Sequence, residues 1–413
     1  MRILLSAYSC LPNKGSELGV GWRWAVELAG LGHEVCLLTR EVYRAPIESY
    51  LSASPVDKLT LAFYDPPAWL TGWHRPGAGT VYLHYYVWQI GVLGFARQLA
   101  AGKMFDIVHH ITFGVFRQPS LLYLLPVPFV FGPVGGGEAA PPLLRREFPI
   151  RGRVIDFLRD VANWLAGLDP FLRMLYRRSC VIFCKTDDTW NMIPSEFRHK
   201  AMVKREIGID VDSRQTANQV RIRRGGVLKV LFVGRLIYWK GAHLALRAFS
   251  KLVEQYPDAE LCIVGSGKEE RWLKQLAQAL GIKESVQWIS RVDHAALLKK
   301  YCEFDVFLFP SLHDSSGNVV LEAMSAGLPV ICLDLGGPPT MVDEHCGCVV
   351  PARHAGQEGV VEGLHRALSR FAEDETYRMQ CSLAARAKAE AMSWRRTVAD
   401  AYELIASRIQ SAK

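Results

Sequence analysis

The chain is 413 residues long, enough for two or three domains, each with a core of its own. Half of its residues are apolar and 22% are charged, the balance of an ordinary soluble globular protein. The net charge of +8 sits almost wholly in residues 1–205, with 23 Lys/Arg against 16 Asp/Glu, yet no groove-reading helix or RNA-binding motif accompanies it, so nucleic acid is excluded as a partner.

The opening "MRILLSAYSC" carries one Arg and a very short apolar run, which suits a first core strand better than a leader. No stretch reaches the ~18 uninterrupted apolar residues of a membrane span. The best candidate, "VYLHYYVWQIGVLGFA", is broken by His84 and Gln89. Most of the ten cysteines, among them Cys36, Cys184, Cys262 and Cys332, lie inside apolar runs, as free thiols do in a reducing compartment. Cys346-x-Cys348 and Cys180-x3-Cys184 lack a matching second pair, so no metal site is expected. A cytoplasmic protein follows, resting on the inner face of the plasma membrane if it meets a membrane at all.

In chain order, a strand at Arg2–Ala7 leads through the loop "LPNKGSELGVG" into a helix, "WRWAVELAGL", and a second strand, "HEVCLLT". "FDIVHHIT" is a further strand with His109 and His110 near its end. "VPFVFGPVGGGE" runs from a strand into a triple-glycine loop, Gly135–Gly137, closed by Glu138. Residues 145–178 hold eight Arg and four acids among Leu, Ile, Phe and Trp. That mixture is either a solvated helical face or a basic amphipathic surface that docks on anionic lipid or a phosphorylated lipid carrier. "SCVIFCKT" is one more buried strand.

Residues 206–224 are polar and patternless, a linker. The rhythm then restarts with "VLKVLFVGRL", a helix after Lys240-Gly241, "AELCIVGSG", a helix from Lys268, "SVQWIS", a helix from Asp293, "FDVFLFPS" at Phe304–Phe309, a helix from Asn318, and "LPVICLD". The tail from residue 391 is an amphipathic helix. Strand, loop and helix alternating in this way define an α/β protein with two doubly wound parallel sheets, residues 1–205 and 225–390. In open parallel sheets ligands bind beyond the carboxyl ends of the strands, and two such units face to face put the ligand in the cleft between them.

The second half concentrates the chemistry. Arg235 follows one strand and Lys240 stands five residues on, two cations where a diphosphate would sit. Gly265 and Gly267 in "VGSG", and Gly336 and Gly337 in "LDLGGPP", mark close approaches of the backbone. Gly317 precedes a helix whose first amides, at Asn318, Val319 and Val320, would point at a phosphate. Asp314 and Glu322, eight residues apart, suit sugar hydroxyls, because carboxylates repel a phosphate and accept from hydroxyls.

Together "FVGRL…KG", "IVGSG", "FLFPSLHDSSGNVVLEAMSAGLPVI", "LGGP" and the closing "SW" helix resemble the retaining GT-B glycosyltransferases of the E-x7-E type, a class typified by bacterial envelope enzymes. The resemblance covers the second half and, more loosely, the first. It implies two Rossmann-like domains facing a central cleft, with the C-terminal helix packing back toward the first. It implies that Arg235 and Lys240 hold the donor diphosphate, that Glu322 binds the nucleotide ribose, and that Asp314 sits at the donor sugar. The chain departs from the family at Asp314, where Glu is usual, and at Thr340, where an acid is common.

By the same resemblance the first half binds the acceptor. Gly15, Ser16 and Glu17 lie in the loop after the first strand, and such a loop commonly covers the donor phosphates. His110 is preferred over His109 as the cleft-facing histidine, since strand neighbours point to opposite faces. Gly135, Gly136 and Glu138 edge the acceptor site, and Arg117 is placed at an acceptor phosphate. The implied reaction transfers a sugar, with configuration retained, from a nucleotide diphosphate sugar to a hydroxyl of a saccharide or lipid-linked acceptor in glycan synthesis. No cofactor or metal takes part, the nucleotide sugar being a co-substrate. The rivals are a nucleotide-sugar epimerase of similar shape and a non-catalytic, membrane-docked subunit that only binds nucleotide sugars. Backbone contacts around 289–293 would choose the base.

Overall fold

A computed structural model describes residues 1–73, 80–102, 104–210, 227–290 and 292–411. The chain divides into two compact units: 1–137 with 162–207 and 394–413, and 138–161 with 208–393. The expected division at 205 and 225 is therefore redrawn. A segment of the first half, 138–161, belongs to the second unit, because Leu144 and Phe148 sit in the second core and Phe148 meets the Tyr238 ring edge-on at 4.6 Å. Of the expected linker, 211–224 lies outside the described residues.

The first unit is a seven-stranded sheet of β1 (Arg2–Ala7), β2 (Glu34–Thr39), β3 (Leu59–Phe63), β4 (Ile107–Thr112), β5 (Phe129–Val134), β6 (Ser179–Cys184) and β7 (Ala201–Val203), in the order β3-β2-β1-β4-β5-β6-β7. All of its pairings are parallel. Strands β1 and β5 read as mostly apolar runs because helices cover both faces. On one face lie the Ser16–Gly30 helix and the C-terminal Trp394–Ser411 helix. Val398, Ala401, Tyr402 and Ile405 of the latter recur at helical spacing and are buried. On the other lies the Val81–Gly102 helix, whose His84 and Gln89, polar breaks in the sequence, are buried with partners: Tyr8 Oη stands 2.8 Å from His84 Nδ1, and Gln89 accepts from the Leu121 amide. No helix among the described residues is long and apolar enough to cross a membrane.

The second unit is a six-stranded sheet of β8 (Lys229–Val233), β9 (Glu260–Val264), β10 (Val286–Ile289), β11 (Val306–Phe309), β12 (Val330–Leu333) and β13 (Gly347–Val350), in the order β10-β9-β8-β11-β12-β13. It too is wholly parallel. The chain winds outward from β8 to β10, then crosses back to β11 on the other side of β8. The strand order thus reverses between β8 and β11, the point at which a doubly wound sheet leaves room for a ligand.

In the first unit Trp24 is fully buried, donates its indole N–H to the Glu206 carbonyl at 2.9 Å, and meets the His109 ring edge-on at 5.4 Å. Trp24→Ala is expected to cost this unit about 3–5 kcal/mol, read as an earlier unfolding transition in denaturant.

Candidate functional site

The residues that follow β8 and β11 meet in a polar cluster of the second unit. After β8 the backbone passes Arg235, whose side chain is exposed, and makes one 3-10 turn, Tyr238–Lys240. Gly241 then takes φ +73°, and a Cβ there would stand 1.9 Å from the Pro310 carbonyl oxygen, so only glycine lets the Ala242–Gln255 helix start beside the loop after β11.

Lys240 Nζ and Asp314 Oδ2 form a close ion pair across the switch point, each side chain about 15% exposed. The ammonium also lies 5.3 Å from the Phe309 ring centre. Asp314 Oδ1 accepts the amides of Ser316 at 3.3 Å and Gly317 at 3.1 Å, which makes Asp314 the residue that folds its own loop. A carboxylate has about four lone-pair sites, and three are spoken for here. Asp314 is thus chiefly an orienting group for Lys240, with capacity left for about one further donor.

The glycines singled out in the sequence do approach something closely, and it is backbone. A Cβ on Gly265 would stand 1.9 Å from the Gly234 oxygen, and one on Gly267 2.2 Å from that of Leu236. On Gly336 it would be 2.2 Å from the Asp314 oxygen, and on Gly337 2.4 Å from that of Ser315. The Gly337 amide also donates to the Asp314 carbonyl at 2.7 Å. One glycine pair therefore seats the Arg235 loop and the other the Asp314 loop.

Gly317, at φ +71°, starts the Asn318–Ser325 helix. Val320 is corrected as a phosphate-facing amide: its N–H already donates to the Gly317 carbonyl at 2.8 Å, which leaves the amides of Asn318 and Val319 for that role. Thr340 turns its hydroxyl onto the Gly337 carbonyl at 2.7 Å. Glu322, further along the helix, is gripped from both sides. Oε1 lies 3.0 Å from His294 Nε2, and Oε2 accepts from the buried Tyr301 hydroxyl at 3.2 Å. Each oxygen keeps a lone pair.

Sequence reasoning missed the groups behind this cluster. His313 stacks on Trp239 at 4.9 Å, and the Nη1 of Arg159 lies 3.1 Å from its Nε2. Burial, then the charges of Arg159, Lys240 and Arg145, holds its pKa well below the ordinary value, so the ring is neutral and accepts. Arg145 pairs closely with Asp160 and lies 3.8 Å from the buried Asp156, which accepts from Tyr238 Oη at 3.1 Å. Arg145 and Arg159 therefore serve this network rather than an outer basic face. Their only signal in the sequence was the density of arginines.

The first-unit candidates are placed less openly than expected. Gly15 is extended, with open space where a Cβ would stand, so glycine is not required there. Glu17 Oε1 accepts the Gly114 amide at 3.1 Å. His110 is corrected as an open-facing group: both histidines are fully buried, because β4 has a helix on each face. His110 stacks on Phe131 with Nε2 3.3 Å from Tyr85 Oη, and burial, then His109, pushes its pKa down to about 3. His109 Nε2 donates to the Gly132 carbonyl at 2.6 Å, and Nδ1 accepts from Tyr402 Oη at 3.0 Å. Arg117 is corrected likewise. It donates to Asn163 Oδ1 at 2.7 Å, while Asn163 holds the Gly136 carbonyl, so the guanidinium braces the glycine loop. Gly135 is tied to Gly114 and Phe116 by backbone bonds, and the buried Glu138 falls in the second unit.

Residues 213–388, 176 of the 413, match the family described as glycosyl transferases group 1. Among curated relatives, an uncharacterized glycosyltransferase of Methanocaldococcus jannaschii is 33% identical over 176 residues, 40% of this chain and 41% of that protein. A D-inositol 3-phosphate glycosyltransferase of Corynebacterium urealyticum is 33% identical over 184 residues, 43% of this chain and 42% of that one. The chain thus spans about two fifths of the length of these relatives. The catalytic domain of starch synthase IV from Arabidopsis thaliana, bound to ADP and acarbose, superposes with a TM-score of 0.67 over 99% of each chain at 15% identity. The fold is that of the GT-B proteins, two Rossmann-like parallel-sheet domains.

The hydrogen bond that His294 Nε2–H donates to Glu322 raises the pKa of His294 above 6.5. The charged pair is complete below 6.5, and its contribution to stability is lost as the pH climbs past the raised value. Since His294 is more than half exposed, the energy is small. NMR titration is expected to show His294 above 6.5 in the native chain and lower in Glu322→Gln; an unmoved value would break the link.

Proposed function

We propose that the protein is a retaining, metal-independent glycosyltransferase. It moves a sugar from a nucleotide diphosphate sugar to a hydroxyl of a saccharide or lipid-linked acceptor in glycan synthesis, at the cytoplasmic face of the plasma membrane. The observation that carries the reading is Lys240, oriented by Asp314 at the β8/β11 switch point, inside the residues that match the family, with Arg235 exposed on the loop that follows β8. The similar starch synthase IV catalytic domain, bound to ADP, supports a nucleoside diphosphate as the ligand class.

In this reading Lys240, Arg235 and the amides of Asn318 and Val319 face the diphosphate and stabilise the negative charge that develops as the sugar–phosphate bond breaks. Glu322, gripped by His294 and Tyr301, offers its two spare lone pairs to the ribose hydroxyls, and Asp314 offers its remaining one to the sugar. The acceptor oxygen forms the new bond to the anomeric carbon on the face that the phosphate leaves. The acceptor's proton passes to a leaving phosphate oxygen, so atoms and charge balance without an enzyme nucleophile. Fixed cations do what a metal does elsewhere, and no further cofactor is used. Residues of the first unit bind the acceptor, through groups other than the buried His110.

Lys240→Ala is expected to lower transfer by about a hundredfold or more while the melting midpoint of the free protein moves little; near-normal turnover would sink the assignment. A thermal-shift panel of nucleoside diphosphates and their sugars is expected to show one base that stabilises the native chain and loses that effect in Lys240→Ala. Donor incubated without acceptor separates the rivals, since release of an epimer would mark an epimerase.

A further inference from the structure

The helix Ile150–Ala166 is built inside out. At 3.6 residues per turn, Ile150, Val154, Phe157, Leu158, Trp164 and Leu165 fall on one arc. That arc faces solvent: Ile150 is 73% exposed, Phe157 65% and Trp164 68%. The opposite side, which a surface helix normally gives to water, is the buried one, with Asp156 and Asn163 hydrogen-bonded inside and Arg159 drawn to His313. Gly152 sits on that inner side, where a Cβ would come within 3.1 Å of the Tyr238 ring. The orientation is held by the hydrogen bonds that Asp156, Arg159 and Asn163 make on the inner side, and rolling the helix over to hide its apolar arc would break all of them. Of 26 large apolar side chains exposed among the described residues, 11 fall between 150 and 174, so the apolar surface is concentrated here.

Charge identifies what covers it. Arg151 and Arg153 are exposed and flank the arc on its two sides, and Arg177 and Arg178 are exposed at the end of the following helix, Pro170–Arg178. The acids of the same stretch are engaged elsewhere. Asp156 is buried, Asp160 is paired with Arg145, and Asp169 caps the Pro170–Arg178 helix by accepting the Phe171 and Leu172 amides. The exposed side thus joins a broad apolar strip, with Trp and Phe in it, to a border of cations. A second copy meeting this face about a two-fold axis would bring one cationic border against another, whereas an anionic bilayer satisfies both strip and border.

We propose that the 150–166 helix is a membrane-docking element that lies in the plane of an anionic lipid surface, with Phe157 and Trp164 in the acyl boundary and Arg151 and Arg153 at the headgroups. The element is independent of the reaction assigned above. It narrows the broad basic region read from the sequence to one helix, and it removes Arg145 and Arg159 from the contact.

The test is flotation of the full chain with phosphatidylcholine vesicles, with and without phosphatidylglycerol. The native protein is expected to float with the anionic vesicles, to do so less as salt rises, and to stay behind with pure phosphatidylcholine. Phe157→Ser/Trp164→Ser is expected to weaken binding at least about tenfold at an unchanged melting midpoint. Arg151→Glu/Arg153→Glu, which leaves the apolar strip in place, is expected to abolish the preference for anionic lipid. No flotation, equal flotation with neutral vesicles, indifference to either variant, or a native dimer in light scattering that Phe157→Ser/Trp164→Ser makes monomeric would overturn the proposal.

Discussion

The ion pair between Lys240 and Asp314 is the constraint around which the second unit is arranged. A pair this far from water gains little net stability, because the cost of desolvating both charges offsets most of their attraction. What it gains is position. The ammonium is held at one point beyond β8 by a carboxylate anchored beyond β11, and that carboxylate is itself fixed by two amides of its own turn. Losing Asp314 would leave a cation without direction, and losing Lys240 would leave a half-buried carboxylate without its counter-ion. His313 stays neutral in the midst of three cations, so it adds no charge to the place where an anion would have to come.

The glycines serve the same end by another route. Gly265 with Gly267 and Gly336 with Gly337 form two seams where backbone lies against backbone with no room for a side chain. Loops joined in this way behave as extensions of the sheet, and a rigid mount is what a preorganised charge needs. Glu322 rests on a helix and is held by side chains, His294 and Tyr301, rather than by a seam. The two acids that sit eight residues apart are thus fixed by unlike means, one by turn geometry and one by two neighbours.

Much of this was legible in the sequence where the signal is local. The strand runs and the helix starting at Asn318 follow from periodicity and turn residues, the return of the C-terminal helix to the first unit was implied by the resemblance alone, and Lys240 and Asp314 meet because strand ends in a doubly wound sheet converge. Short strands with weak patterns, β3, β7 and β13, were not legible. Nor were contacts set by distant segments. Whether His110 faced outward depended on a helix 25 residues earlier, and whether Arg145 and Arg159 were surface charges depended on His313, Asp156 and Asp160. The glycines were read as close approaches of the backbone to something unnamed, and what they approach is the chain itself. Sequence pattern reports that a backbone comes close, and only the fold reports to what.

The C-terminal helix carries a consequence for how the molecule comes into being. His109, in the middle of the first sheet, completes its hydrogen bonds with Tyr402, 293 residues later in the chain. The face of that sheet under Tyr402 cannot close until the Trp394–Ser411 helix has left the ribosome, whereas the second unit has its parts by residue 393. Synthesis order and assembly order are therefore opposed: the unit whose strands are made first is sealed after the second unit is complete, and the nascent chain carries a half-covered sheet until then.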